Sequence, residues 1–204
     1  MPDLSLECGT EGIVAGIDEV GRGPWAGPVV AAAVILDDKR LPDDLVASID
    51  DSKKQKPTRR EEIAGRLPAF ARIGIGAATP AEIAELNILG ATFRAMARAI
   101  DALEELPALA LVDGNRAPPL PCPVRTVVKG DSVSLSIAAA SIVAKVTRDR
   151  IMARLAVRYP DYGWERNAGY GTAEHRAALE RVGVTPHHRK SFTPIAALLD
   201  GSPV

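Results

Sequence analysis

The stretch IVAGIDEVGRGPWAGPVVAAAVI, residues 13–35, limits what this chain can fold into. Two apolar runs flank a segment that carries Gly21, Gly23, Pro24, Gly27 and Pro28. Runs of this length, rich in Val and Ile and bounded by Gly and Pro, read as buried strands joined by a rigid turn. The first run ends on two adjacent carboxylates, Asp18 and Glu19. Carboxylates entering an apolar interior need a compensating cation, which Arg22 or a divalent metal would supply; a strand end capped by solvated charges is the other reading. Successive strand side chains point to opposite faces, so the two acids share a site only where the strand ends or bends. The GRG triplet resembles a phosphate loop, because glycines let backbone amides approach an anion, yet neither a dinucleotide fingerprint nor GK[ST] follows.

Beyond this stretch, 204 residues with 47% hydrophobic and 25% charged side chains are enough for one sizeable core plus a small appendage. The net charge of −1 gives no global pull toward nucleic acid or anionic membrane, so polyanion binding must come from local patches. Cys8 and Cys122 make neither a disulfide framework nor a cysteine metal site, and a cytoplasmic location is expected. The polar start MPDLSLECGTEG lacks the basic and apolar regions of a signal peptide. No window reaches the ~18 uncharged apolar residues of a membrane span, so no membrane partner is expected.

Further along, Lys53 and Lys54 lie in a lysine cluster before Pro57, which opens a helix to about residue 67; the cluster reads as phosphate-binding or as a solvated charge run. Residues 70–78 form a third strand, and helix follows from Pro80 and through 88–106 with apolar residues at 3.6-residue spacing. Residues 108–112 make a short apolar strand ending at Asp113, where a parallel crossover would build a ligand site, or where Asp-Gly simply turns. A fifth strand lies within 120–128. Asp131 is placed to N-cap the longest helix, residues 132–159. On that helix Asp131, Ser134, Ala138, Ser141, Lys145 and Arg148 share one face, a polar stripe expected to face water or a polyanion. Residues 161–204 read as a small appendage over a 1–160 main domain, with a helix capped by Thr172. Tyr170 between two glycines is suited to lie on a sugar or base, or to pack a linker. His175, His187 and His188 lack metal-ligand spacing, and the last two are expected to touch solvent or phosphate.

If the first and fourth strands are neighbours, Asp18, Glu19, Asp113 and Asp131 converge. A set of oxygen donors alone suits Mg²⁺ or Mn²⁺ rather than zinc, and two such ions serve in-line displacement at a phosphodiester. A two-metal DNA nuclease or strand-transfer enzyme and a non-catalytic hybrid-binding module both stay open at this point.

At these residues the chain resembles ribonuclease HII. GIDEVGRGPWAGPVV, DSKK, VDGN, KGDSVSLSIAAASIVAKVTRDR, NAGYGT followed by EH, and HHRKSF occur in that order across nearly the whole chain. The resemblance implies an α/β RNase H-like fold: a central mixed five-stranded sheet flanked by helices, with a helical carboxy-terminal extension. It implies an enzyme, acting as a monomer with two Mg²⁺ or Mn²⁺ ions, that cleaves RNA in RNA/DNA hybrids and nicks duplex DNA on the 5′ side of an embedded ribonucleotide, leaving 3′-hydroxyl and 5′-phosphate. Asp18, Glu19, Asp113 and Asp131 match the family's metal-site acids. Gly21, Arg22 and Gly23 match its 2′-hydroxyl-reading triplet, and Tyr170 its junction-sugar tyrosine. Lys53, Lys54, Ser134, Ser141, Lys145, Arg148 and Arg189 then become phosphate-contacting or supporting residues. Trp25 and Gln55 depart from the Leu usual at both positions, which bears on packing and substrate trim.

Overall fold

A computed structural model describes residues 1–50 and 55–201. Its centre is a five-stranded sheet in the order β3-β2-β1-β4-β5. The strands are β1 (Val14–Val20), β2 (Val29–Leu36), β3 (Ala71–Ala78), β4 (Leu109–Asp113) and β5 (Val124–Val127). The β1–β2 and β2–β3 pairs are antiparallel; the first is joined by the short GRG connection, the second by a longer excursion that carries the helices Asp43–Val46 and Pro57–Arg66. β4 and β5 instead join parallel to β1 and to each other. The return over α4 (Pro80–Asp101) allows that parallel crossover, and it sets β4 beside β1 at the sheet centre.

One sheet face packs on α4. Ala15, Ile17, Ala31, Ala33, Ala110 and Val112 meet Ala95, Met96, Ala99 and Ile100 there. α4 is kinked at Asn87 (φ 57°), whose Oδ1 accepts from the amides of Leu89 (2.9 Å) and Gly90 (3.2 Å), so this residue starts the second half as an internal cap. The opposite face packs on α5 (Leu135–Arg158). Gly16 permits the contact: a Cβ there would stand 2.3 Å from the Ile137 amide nitrogen, so only glycine lets α5 lie this close to β1.

The remaining helices are α1 (Ser5–Cys8), α2 (Asp43–Val46), α3 (Pro57–Arg66), α6 (Trp164–Asn167), α7 (Ala173–Val182) and α8 (Thr193–Leu199). The residues after 160 build a further core of Tyr162, Trp164, Ala178, Leu179 and Ile195 against Met152 and Ala156 of α5 and against Ala26. No described helix is long and apolar enough to cross a membrane.

Two sequence expectations are corrected here. α5 begins at Leu135, and its N-cap is Ser134, whose hydroxyl accepts from the Ile137 amide; Asp131 instead sits in a 3₁₀ turn, Gly130–Ser132. Glu7 explains the difference, since its Oε1 accepts from both hydroxyls of Ser134 (2.6 Å) and Ser136 (2.6 Å) and from the Ser136 amide (3.0 Å). An acid from the amino-terminal turn thus answers the orphan donors of the helix start. The polar stripe of α5 also faces inward: Ser134, Ala138, Ser141 and Arg148 are buried, and only Lys145 reaches the surface.

Candidate active site

The register Ile17↔Val112 places Asp18 and Asp113 side by side at the point where β4 ends. β1 runs on regularly, with Asp18 opposite Ala32 and Glu19 opposite Ala31, so the expected bend between the two acids is absent. The acids leave on opposite faces of β1, and the end of β4 opens space beside both. The amide of Glu19 donates to Asp18 Oδ1 (2.7 Å), and Ser141 of α5 hydrogen-bonds the same carboxylate. Asp113 Oδ1 accepts from the Gly130 amide (2.7 Å), which holds Asp131 one residue away from it.

Burial pushes the Asp18 carboxyl well above its ordinary range, and the charges of Glu19 and Asp113 add to the shift. Burial also raises Glu19, while the guanidinium of Arg22, 3.3 Å away, pulls it back. This is a concentration of like charge at the carboxyl end of central strands, stabilised by any cation that enters. The donors are carboxylate oxygens, the hard set that fits Mg²⁺ or Mn²⁺ and not zinc. Among the described residues no three acid, histidine or cysteine side chains yet enclose one point. The donor chemistry of these carboxylates nonetheless fits a divalent ion.

Beside the acids stands the GRG loop. Gly21 has φ +92°, and a Cβ on it would lie 2.1 Å from Arg148 Nε, so neither the backbone nor the packing admits another residue. Two buried arginines fasten this loop without any carboxylate. Arg148 donates to the carbonyls of Pro28 (2.9 Å), Ala168 (2.9 Å) and Ala26 (3.0 Å). Arg189 donates to those of Gly27 (3.0 Å), Arg22 (2.8 Å) and Gly21. Burial lowers the first guanidinium to about 10 and the second to about 9, so both stay cationic at neutral pH. With its carbonyls turned to these arginines, the loop keeps Arg22 half-exposed at the surface.

The half-exposed ring of Tyr170 closes the far side, 3.5 Å from where a Cβ on Gly23 would stand. The amide of Trp25 donates to the Gly169 carbonyl (2.8 Å), tying the two loops together.

Asp18, Glu19 and Asp113 are thus brought together, Asp131 is linked through Gly130, and Arg22, Gly23 and Tyr170 line the adjoining surface. Ser141 supports Asp18 rather than meeting solvent. Of the two roles expected for Ser134, Arg148 and Arg189, phosphate contact or support, their burial and their donors to Glu7 or to loop carbonyls fit support. Lys145 is partly exposed and pairs with Asp149 (2.6 Å). Lys53 and Lys54 lie outside the described residues. His188 is buried against His175 and does not meet solvent or phosphate. The sequence reading missed Glu7, Trp25 and Trp164 as supports; no local pattern announces Glu7, whereas the EH and HH pairs do mark the two buried histidines.

A family model described as Ribonuclease HII matches residues 15–195. A protein named Ribonuclease HII from Paramagnetospirillum magneticum is 65% identical over 196 residues, covering 96% of this chain and 98% of the relative. The crystal structure of the ribonuclease H2 from Pyrococcus horikoshii OT3 superimposes with a TM-score of 0.80 at 28% identity, covering 93% of this chain and 98% of that one. Bst-RNase HIII in complex with Mn²⁺ shares the fold with a TM-score of 0.70 at 19% identity, covering 93% of this chain and 70% of that one.

Proposed function

The chain belongs to the ribonuclease HII family and is a ribonuclease H acting on RNA/DNA substrates, and from that premise we propose how its residues divide the work. Asp18, Glu19, Asp113 and Asp131 hold divalent cations, two Mg²⁺ or Mn²⁺ ions with substrate present. The observation that carries this reading is the juxtaposition of Asp18 and Asp113 at the end of β4, each fixed by its own hydrogen bond. Bound there, the ions supply a nucleophilic water and charge neutralisation at the scissile phosphate. Every other contribution comes from the protein: Ser141 and the Glu19 amide orient Asp18, the Gly130 amide orients Asp113, and Asp18 itself is buried.

Selectivity belongs to Gly21, Arg22, Gly23 and Tyr170. Phosphate contacts position a duplex, whereas only a contact to the 2′-hydroxyl tells RNA from DNA. A loop whose carbonyls are turned inward by Arg148 and Arg189, facing a tyrosine ring, suits that task. The reading includes nicking on the 5′ side of a ribonucleotide embedded in duplex DNA, with residues 161–204 as the extension carrying Tyr170 over the substrate. Mg²⁺- or Mn²⁺-dependent nicking of a duplex with one ribonucleotide is the test. Asp18→Asn and Asp113→Asn abolish cleavage while leaving duplex binding largely intact; equal cutting of an all-DNA duplex overturns the assignment of selectivity.

A further inference from the structure

A buried hydrogen-bond chain runs behind Tyr170. The ring of His175 is fully buried, and its Nδ1 lies 2.9 Å from the Tyr170 carbonyl oxygen. Its Nε2 lies 3.2 Å from Trp164 Nε1 and 3.0 Å from His188 Nε2. His188 is buried too, with Nδ1 2.9 Å from the Thr185 amide.

Obligate donors and acceptors leave one proton arrangement. An amide only donates, so His188 Nδ1 accepts and its proton sits on Nε2. An indole also only donates, so His175 Nε2 accepts from Trp164 and from His188 together. The proton of His175 is then on Nδ1, and it donates to the Tyr170 carbonyl, which only accepts. One further contact ties this chain to the neighbouring loop. Trp25 lies over His175 with ring centroids 5.9 Å apart, and Arg189, which grips the GRG carbonyls, donates its amide to the Trp25 carbonyl (2.8 Å).

We infer that His175 and His188 are positioning residues for ribonucleotide recognition: through a single tautomer chain they fix the backbone of Tyr170, and with it the ring set against Gly23. Neither histidine touches substrate. The inference rests on the reading of Tyr170 as the residue against the sugar, so Tyr170→Ala is measured in parallel.

Asn in place of His175 keeps a donor where Nδ1 stands, and Gln does not. His175→Gln is expected to lower kcat/KM on a duplex with one ribonucleotide about tenfold relative to a continuous hybrid, as befits the loss of about one net hydrogen bond. His175→Asn is expected to restore most of that ratio, and His175→Gln to add nothing in a Tyr170→Ala background. Equal losses in the Asn and Gln variants, or full additivity with Tyr170→Ala, overturn the inference while the role of Tyr170 stands. If Tyr170→Ala leaves the ratio unchanged, the reading of Tyr170 falls and the inference with it. Nitrogen-15 NMR of the unmutated protein at neutral pH decides independently of any variant's folding: His175 must appear as the Nδ1–H tautomer and His188 as the Nε2–H tautomer, and the reverse for His175 refutes the chain.

Discussion

At the residue scale the site is built against its own stability. Burial raises the pKa of Asp18 and of Glu19 above their unfolded values, so their ionised forms are disfavoured by folding. The linkage has a definite sign. A carboxyl raised on folding leaves the folded state most favoured below the unfolded value near 3.8 for Asp18, and stability falls as pH rises through the raised value. Asp18→Asn removes that burden. In metal-free buffer at neutral pH the variant is therefore expected to melt higher than the parent, although it is inactive; thermal unfolding followed by circular dichroism checks this. Cation binding should reverse the order. With free Mg²⁺ at about 100 times its Kd the parent gains about 2.7 kcal/mol by mass action, and Asp18→Asn gains less. On the same ground activity should fade at a higher pH than ordinary carboxylates would give, because ligation requires both acids ionised. These acids were legible from one sequence, since carboxylates at apolar strand ends violate the usual pattern. That Asp18 and Glu19 adjoin one site without a bend in β1 was not, because it depends on where β4 stops.

At the element scale, two devices hold the site and neither is local in sequence. Arg189 reaches 168 positions back to the Gly21 carbonyl, and Glu7 reaches 127 positions forward to Ser134. Periodicity along α5 identified the polar face correctly but gave it the wrong environment. Ser and Arg at helical spacing look alike whether they meet water or buried carbonyls, and only the fold supplies those carbonyls. Replacing Arg189 by Met leaves three loop carbonyls without their donor, and the expected loss is about 1–3 kcal/mol for each carbonyl that stays buried and unpaired. Arg189→Lys should recover little, since one ammonium cannot span three carbonyls held in a guanidinium fork. Urea denaturation measures both. At the other end of α5, Glu7→Ala strips the partner from Ser134 and Ser136 and should weaken the protein by about 1–2 kcal/mol, comparable to loss of a helix cap.

For the molecule as a whole, the question is whether residues 161–204 sit on a finished domain or complete an unfinished one. The sequence shift at Pro160 reads as a boundary, and hydrophobic patterning alone supports it. The packing does not divide there. Met152 and Ala156 at the end of α5, together with Ala26 of the GRG connection, share one buried cluster with Tyr162, Trp164, Ala178, Leu179 and Ile195. Arg148 would lose its Ala168 carbonyl, and the loop would lose all three bonds from Arg189. Each fully buried apolar side chain contributes about 1.5–3 kcal/mol, and a buried arginine stripped of partners costs about 3–5 kcal/mol. A chain ending at residue 160 should therefore lose roughly 5 kcal/mol or more, a fall of at least about 10 °C in melting temperature at this size. The GRG loop, lacking its carbonyl anchors, should also lose its shape. The truncated chain is thus expected to be inactive on every substrate, not merely unselective. Calorimetry and the single-ribonucleotide assay on the truncated chain check both halves. A stable truncated protein that still cleaves continuous hybrids would show that the catalytic acids need nothing from the extension, and that its contribution is confined to recognition by Tyr170.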